Sequence, residues 1–497
     1  MRRLAAALAL LLSAGAHAQT LTIALREDPD VLDPTLGSAF VSRVVYAAMC
    51  DKLIDLDAGL NLVPQLATAW TWEDPTHLLL TLRPGVIFHD GEPFNAEAVK
   101  YKLTRDLTIK GSMRAGEVNS ISSIEVVNDL QVRLVLRAPN APLLAQLADR
   151  AGIMISPKAA EAAGVQFGAH PVCAGPYQFE SRVAQDSIVL RRFPGYWDAG
   201  NYHFERVVYR PMPNSAVRLA NLRAGTVDLV EYLLPGDMDA VKADPKLRVV
   251  TGDGLAYTGI NFNIANGPGA GTALGRDRRV RLAFEAAIDR DAANQVVYGG
   301  LFSPTAQANI AGSLMHVPSV KPPPRDLDRA RALLHEAGVA LPVPVTLSLS
   351  NSPDIQQTAE VIQAMAAEAG FDVRLRVMEF ASALQAGYSG EFQAFLIGWS
   401  GRSDADGNTW QLLHTGGTFN YGHWSNAEAD AAMDEARAVS DPAARRALYA
   451  RLWAVEREEM PLMYLWTAKN VVGLRADLHG FVPVPDGLIR LRGMRRD

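Results

Sequence analysis

Trp399 and Arg402 stand close together in the sequence and carry side chains that suit the binding of a small molecule. An indole offers a flat face for stacking, and a guanidinium offers forked donors that match a carboxylate or phosphate. Asp404 and Asp406 follow and could supply an acid. The pattern predicts a site for an anionic or polar solute. Two alternatives stay open: Trp399 could fill a core, and Arg402 could be solvated or pair with one of these acids.

The elements around these residues predict where they lie. Three apolar runs, at residues 345–349, 371–377 and 392–397, are typical of strands, and helix start and stop signals lie between them. Strands that alternate with helices form parallel sheets, and ligands sit beyond the carboxyl ends of such strands. The third strand runs into Trp399 and the first ends at Asn351. We therefore expect both loops to face one crevice.

Other side chains complete the predicted ligand site. Tyr257 offers a second apolar face, although filling the core is an equal alternative for it. Ser400, Asn351 and Asn408 are expected to form hydrogen bonds, and Tyr421 belongs to the same predicted set.

Helix signals elsewhere are clear enough to give bounds. Asn95 is expected to cap a helix that runs to residue 107, and Asp277 to cap one long helix over residues 278–294. Ser425, with a Glu three residues later, predicts a capping box at the start of another helix.

No pattern of a catalytic or metal site stands out in the sequence. Residues 398–401 lack the Gly-x-Ser-x-Gly spacing of a serine hydrolase, and no phosphate-binding loop is present. The histidines are scattered, and the acids at residues 404–408 lack the closing Glu of a calcium loop. We expect neither an enzyme nor a cofactor. A secreted hydrolase of peptides or glycans and a periplasmic chaperone or sensor stay open as alternatives.

Residues 1–18 have the features of a secretory signal peptide. Two arginines precede an apolar run over residues 4–12, and a small-x-small site predicts cleavage before Gln19. An uncleaved anchor is the alternative, but this run is shorter than the roughly 20 residues that span a bilayer. We expect a protein of the bacterial periplasm. Its formal net charge of −6 and the lack of a basic run argue against nucleic acid as a partner.

The chain has two cysteines, Cys50 and Cys173. In an oxidising compartment two lone cysteines are expected to form a disulfide. Two buried thiols, packed as small apolar side chains, are the alternative.

One stretch resembles a known family. Residues 83–100, Arg-Pro-Gly-Val-Ile-Phe-His-Asp-Gly-Glu-Pro-Phe-Asn-Ala-Glu-Ala-Val-Lys, resemble the signature of the family 5 extracellular solute-binding proteins. The resemblance implies an α/β, bilobal periplasmic binding protein fold, type II and cluster C-like, with an extra inserted subdomain. It also implies a non-catalytic, monomeric receptor that delivers a small solute or peptide to the permease and ATPase of an ABC importer. Further similar blocks occur in order at residues 62–70, 175–177, 277–290, 398–401 and 420–426.

The resemblance also implies how the chain is divided. Lobe I would comprise residues 19–54, 174–253 and 471–497, the inserted subdomain residues 55–173, and lobe II residues 254–470. The hinge would cross near residues 254–260 and 468–474. Cys50 and Cys173 flank the insertion, where a disulfide would pin it.

The chain departs from its peptide-binding relatives at two positions. Those relatives place an Asp shortly after the Gly-Trp to hold a peptide ammonium, and here Arg402 occupies that place. Dipeptide binders use an Arg near the start of the helix at residues 353–369, where this chain has Gln356 and Gln357. An ammonium beside Arg402 would be repelled. An anionic or polar solute, or a modified peptide with its carboxylate toward Arg402, is therefore expected rather than a free dipeptide.

Overall fold

The computed structural model describes residues 19–496, so the predicted signal peptide lies outside the described residues. Within that range no helix has both the length and the apolar character needed to cross a bilayer. In the same range no group of His, Cys, Asp or Glu side chains could hold a metal ion.

Strands and helices are mixed throughout the chain. The strands are β1 (Thr20–Leu25), β2 (Ile54–Leu56), β3 (Leu62–Pro64), β4 (Ala67–Asp74), β5 (His77–Leu82), β6 (Ile121–Asn128), β7 (Gln131–Leu136), β8 (Tyr177–Val183), β9 (Ser187–Arg192), β10 (Arg206–Pro211), β11 (Leu229–Val230), β12 (Leu247–Phe262), β13 (Ser303–Pro304), β14 (Val343–Ser350), β15 (Phe371–Met378), β16 (Ala394–Trp399), β17 (Leu462–Arg475), β18 (Leu478–His479) and β19 (Arg495–Arg496). The helices are α1 (Phe40–Met49), α2 (Ala96–Thr108), α3 (Ala115–Val118), α4 (Leu143–Leu147), α5 (Pro157–Ala163), α6 (Ser215–Ala224), α7 (Met238–Lys242), α8 (Ala273–Arg276), α9 (Arg278–Ala286), α10 (Arg290–Tyr298), α11 (Leu327–Ala337), α12 (Pro353–Ala369), α13 (Phe380–Ser389), α14 (Asp406–Leu413), α15 (Ala427–Ala438) and α16 (Pro442–Glu459).

The largest sheet has the strand order β15-β14-β16-β12-β17-β11-β1-β10-β9-β8, with β13 beside β17. β14 is parallel to both β15 and β16, as the alternation of strands and helices predicts. At the other end of the sheet, β1 is parallel to β10 and β11. The sheet therefore has two parallel parts, which lie on opposite sides of the antiparallel pair β12 and β17.

β12 and β17 connect these two parts. They pair over most of their length, and their register is interrupted between Asp253 and Tyr257. On β17, Leu474 is buried in the core beneath β1, whereas Met463 is buried in the core beneath β14. Both cores are therefore tied to one continuous strand, in the region where the resemblance implies a hinge.

A second, antiparallel sheet has the order β4-β5-β7-β6 and its own core. The alternation of apolar and polar residues in β5 and β7 buries every second side chain, as half-buried strands do. Asn95 caps α2 as predicted, because its side chain accepts a hydrogen bond from the backbone N–H of Ala98 at 3.1 Å. Leu80, Phe88, Val99 and Leu134 are fully buried there.

A disulfide joins the two chain segments that lead into and out of the antiparallel-sheet region at residues 51–172. Cys50 directly follows α1 and Cys173 precedes β8, and their Cα atoms lie 4.9 Å apart. The predicted pairing is confirmed. The backbone N–H of Gly175 also donates to the carbonyl of Met49 at 3.1 Å, so the two chain segments that flank residues 51–172 are fixed side by side.

Two predictions about helices were wrong. Residues 278–294 do not form one helix: α9 ends at Ala286, and α10 starts anew because the Asp289 side chain accepts from the backbone N–H of Ala292 at 2.9 Å. The N-cap of α15 is Asn426 rather than Ser425. Its carboxamide oxygen accepts from the backbone N–H groups of Glu428 and Ala429, so no capping box forms.

Candidate functional site

A cavity lies where three strands end. β1, β14 and β16 end at Leu25, Ser350 and Trp399, and residues at or just beyond these ends line the cavity. Its empty volume is about 1100 Å³, including space open to solvent. Ligand sites beyond the carboxyl ends of strands are the rule in open α/β sheets. The two loops that the sequence places at one crevice do meet here, since Ser352 and Ser400 both line the cavity.

Trp399, Ser400, Tyr257 and Tyr421 all line the cavity, so the structure brings these four predicted residues together. Trp399 is half-buried, and its ring packs against Phe419 with ring centroids 5.0 Å apart. Tyr257 and Tyr421 are buried in the core that backs the cavity wall. Most of the Tyr257 side chain is therefore packed in the core, which is the alternative prediction for this residue.

Arg402 has protein partners for its charge. Its Nε lies 2.8 Å from Oδ2 of Asp149, and its Nη1 donates to the Gly401 carbonyl at 2.7 Å. The guanidinium also lies over the Trp399 ring, 4.5 Å from the centroid, and the residue is buried. Burial lowers the pKa of Arg402 to about 10, against the opposing effect of Asp149. Arg402 does not line the cavity, so the geometry gives no support to its predicted contact with an anionic group.

Asp149 joins Arg402 to a second guanidinium, that of Arg43 on α1, at 2.8 Å. Burial alone would raise the pKa of Asp149, but these two guanidiniums hold it well below its usual range. Three segments distant in sequence therefore meet at one carboxylate.

Asp404 and Asp406 are held in ion pairs as well. Both oxygens of Asp404 accept from Arg445, at 2.8 and 2.9 Å. Asp406 accepts from Arg437 at 2.6 and 3.0 Å and from Gln146 at 3.0 Å. These acids line a smaller pocket beside the cavity rather than the cavity itself.

Asn408 and Asn351 also lie off the cavity wall. The Asn408 carboxamide accepts from the backbone N–H of Arg402 at 2.7 Å and donates to its carbonyl at 2.9 Å, which fixes the loop after β16. Its oxygen also accepts from Trp399 Nε1 at 3.1 Å. Asn408 thus orients the Trp399 ring through this hydrogen bond. Asn351, by contrast, is exposed and lines a small neighbouring pocket.

The charged side chains of the cavity wall are Arg26, Glu27 and Asp354, and none of them belongs to the predicted set. Arg26 and Glu27 directly follow β1, and Asp354 lies in the first turn of α12. The signal that could have found them is the rule already used for β14 and β16, applied to polar residues after β1.

Arg26 and Glu27 have different surroundings. The Arg26 guanidinium lies 5.0 and 4.8 Å from the ring centroids of Phe40 and Tyr232, and its Nε is 3.6 Å from Glu231. Glu27 is half-buried, and no group among residues 19–496 donates a hydrogen bond to its carboxylate. Burial raises the pKa of Glu27 to about 7; the Arg26 guanidinium opposes this rise, and Glu231 adds to it.

Asp354 is buried but hydrogen-bonded. Ser352 donates to its Oδ1 at 2.6 Å, and the hydroxyls of Tyr232 and Tyr298 donate to its Oδ2, each at 3.3 Å. Because the Ser352 hydroxyl is used in this way, it does not cap α12, although Ser352 occupies the N-cap position. The carboxylate is therefore fixed in the cavity wall by three hydroxyl donors.

Curated relatives match nearly the whole chain. The glutathione-binding protein GsiB of Pectobacterium atrosepticum is 29% identical over 476 residues, which cover 92% of this chain and 90% of that protein. GsiB of Salmonella typhi is 29% identical over 487 residues, which cover 94% and 93% of the two chains.

Solved structures share the fold. The Escherichia coli murein tripeptide binding protein MppA superposes with a TM-score of 0.89 at 21% identity, covering 97% of this chain and 99% of that one. The periplasmic binding protein AgaA of A. tumefaciens R10, solved with agropinic acid, gives a TM-score of 0.87 at 24% identity, covering 96% and 99%. These matches confirm the α/β bilobal fold.

The family model for bacterial extracellular solute-binding proteins, family 5, matches residues 61–420, which is most of the chain. The chain therefore belongs to family 5 of the bacterial extracellular solute-binding proteins, and it is a receptor that serves an ABC importer rather than a hydrolase.

Proposed function

We propose that the cavity at the ends of β1, β14 and β16 is the solute site of a monomeric periplasmic receptor, and that the leader at residues 1–18 is removed on export. The observation that carries this proposal is the cavity itself, about 1100 Å³ in empty volume, with charged side chains at one end and aromatic rings around it. Solute pockets of proteins are mostly apolar, with a few placed polar groups that fix orientation.

The proposed division into lobes follows the implied boundaries, with β12 and β17 as the hinge. Contacts between residues 55–173 and 254–470 support closure over the cavity. Besides the pair of Asp149 and Arg402, the backbone N–H of Ala141 donates to the carbonyl of Arg437 at 2.7 Å. Contacts of this kind form only when the lobes are together, so a bound solute shifts the equilibrium toward the closed state that the importer recognises.

Within this proposal Trp399 and Ser400 contact the solute. Trp399 is held by Asn408 and presents its ring to the cavity, and Ser400 lies directly beside it. Asp404, Asp406 and Asn408 hold the loop in place, and Arg402 holds two segments together. The solute contacts are thus made by a small part of the predicted set.

The test is native mass spectrometry of the full chain, purified from the periplasm without a denaturing step. We expect one small molecule per chain. Ala256→Trp places a large ring in the cavity wall and should abolish binding, whereas Val165→Trp, at an exposed position, should not. Spheroplasts should take up the identified solute only when the wild-type protein is added. Retention of the solute by the Ala256→Trp variant would contradict the proposed site.

A further inference from the structure

We infer that the solute carries a cationic nitrogen, an ammonium or a guanidinium, which binds at the end of the cavity formed by Glu27 and Asp354. This inference rests on the proposed function of the cavity as the solute site. It reverses the expectation of an anionic solute, because that expectation relied on Arg402, which Asp149 already neutralises.

The charges at this end of the cavity do not balance. Besides the neutral phenol of Tyr232, three carboxylates and two guanidiniums influence one another here. When all five are ionised, they carry one net negative charge. One additional cation would neutralise the group. The carboxylates are Glu27, Glu231 and Asp354, and the guanidiniums are Arg26 and Arg218.

The hydrogen bonds show which carboxylate lacks a partner. Glu231 is paired with Arg26, whose Nε lies 3.6 Å away. Arg218 is buried and donates to the carbonyls of Met212 and Pro213, at 2.7 and 2.9 Å, so its donors are directed at the backbone. Glu27 accepts no hydrogen bond from any described residue, although it lines the cavity. A half-buried carboxylate without a donor is costly, and a cationic ligand supplies the missing donors.

The rest of the wall suits a cation. Asp354 is fixed by hydroxyl groups and brings no positive charge with it. Aromatic faces attract cations, and Tyr298 and Phe380 line the same cavity as Glu27. A cation bound beside Glu27 would favour its ionised form and so lower its raised pKa.

The probes are three small molecules of matched shape: n-butylammonium, n-butanol and butyrate. Their binding to the full-length mature protein is measured by saturation-transfer NMR, with the natural solute removed by mild unfolding and refolding. We expect n-butylammonium to bind more tightly than the other two. Glu27→Gln should weaken its binding by about tenfold, the value of one charge-assisted hydrogen bond. Glu379→Gln is the matched control, because Glu379 is exposed and lines only the neighbouring pocket.

The pH dependence gives an independent measurement. Glu27, which faces Arg26, Arg218, Glu231 and Asp354, has a pKa of about 7. Binding of n-butylammonium should therefore weaken several-fold between about pH 8 and about pH 6. Glu27→Gln should remove this dependence.

Equal or tighter binding of butanol or butyrate overturns the inference, as does a lack of n-butylammonium binding or an unchanged affinity in Glu27→Gln. In each case the mass spectrometry of the natural solute still decides the proposed function by itself. A neutral or anionic natural solute would refute the inference while leaving the receptor function intact.

Discussion

Replacing Asp149 by Asn tests whether one carboxylate fixes three distant segments together. Asn has the same shape but no charge, so the change leaves Arg402 and Arg43 buried without the carboxylate with which both form ion pairs. Each pair is worth about 4 kcal/mol at 4 Å and an effective dielectric constant of about 20, before the cost of desolvation. Removing one partner of a buried ion pair typically costs about 3–5 kcal/mol. We expect a loss of stability in that range.

The assay is thermal unfolding followed by circular dichroism at several pH values. For a cooperative unit of 150–250 residues the expected loss corresponds to a fall of roughly 6–20 °C in Tm. The pKa of Asp149 is held well below its usual range, so its contribution is present above the unfolded value of about 3.9 and is lost as pH falls below it. The difference in Tm between wild type and variant should therefore be largest near neutral pH and should decrease below about pH 4.

The matched control is Glu73→Gln, which breaks the pair of Glu73 with Arg133. That pair lies at the surface, with side-chain exposures of 35% and 28%, and we expect no measurable change in Tm. If Asp149→Asn unfolds within about 1 °C of wild type, or if its Tm deficit is the same at every pH, the reasoning about this carboxylate is refuted.

Two further predictions concern stability. Cys50→Ala with Cys173→Ala removes a cross-link between residues 123 apart, for which the chain-entropy model gives a loss of about 5 kcal/mol in the free energy of unfolding. A reductant should lower the Tm of wild type but not that of the double variant. An equal effect of the reductant on both proteins would contradict the stabilising role of the disulfide. Burial raises the pKa of Glu456 to about 8, so the stability contributed by its protonated form is lost as pH rises from about 4.3 toward 8. Glu456→Gln should therefore gain stability over wild type in urea unfolding between about pH 5 and about pH 8, and a difference independent of pH would count against it.

Much of the fold was predictable because its signals are local. The helix α12 begins at Pro353 and ends before Gly370, which adopts φ +106, as the sequence indicates. The strands on either side follow from short apolar runs, and their parallel pairing follows from the helix between them. The break between α9 and α10 was missed because the apolar stripe continues across it, and only the cap at Asp289 marks the new start.

The candidate site was predictable only in part, because its chemistry depends on contacts between distant residues. Trp399 and Ser400, which line the cavity, could be predicted because they lie at the end of a recognisable strand. The partner of Arg402 is Asp149, 253 positions earlier in the numbering, and no local pattern links the two. Arg26 and Glu27 were overlooked because the neighbours of β1 in the sheet come from residues 206–211 and 229–230.

The place of β1 inside the large sheet has a consequence for how the chain reaches its native state. β1 lies near the beginning of the chain, yet Thr20 pairs with Arg206, and β11, on its other side, pairs in turn with β17 near the end of the chain. Such long-range pairing is slow, because the loop entropy is lost before the contacts form. Nearly all of the polypeptide must therefore be available before this half of the sheet can close, and until then its apolar strands are exposed to aggregation.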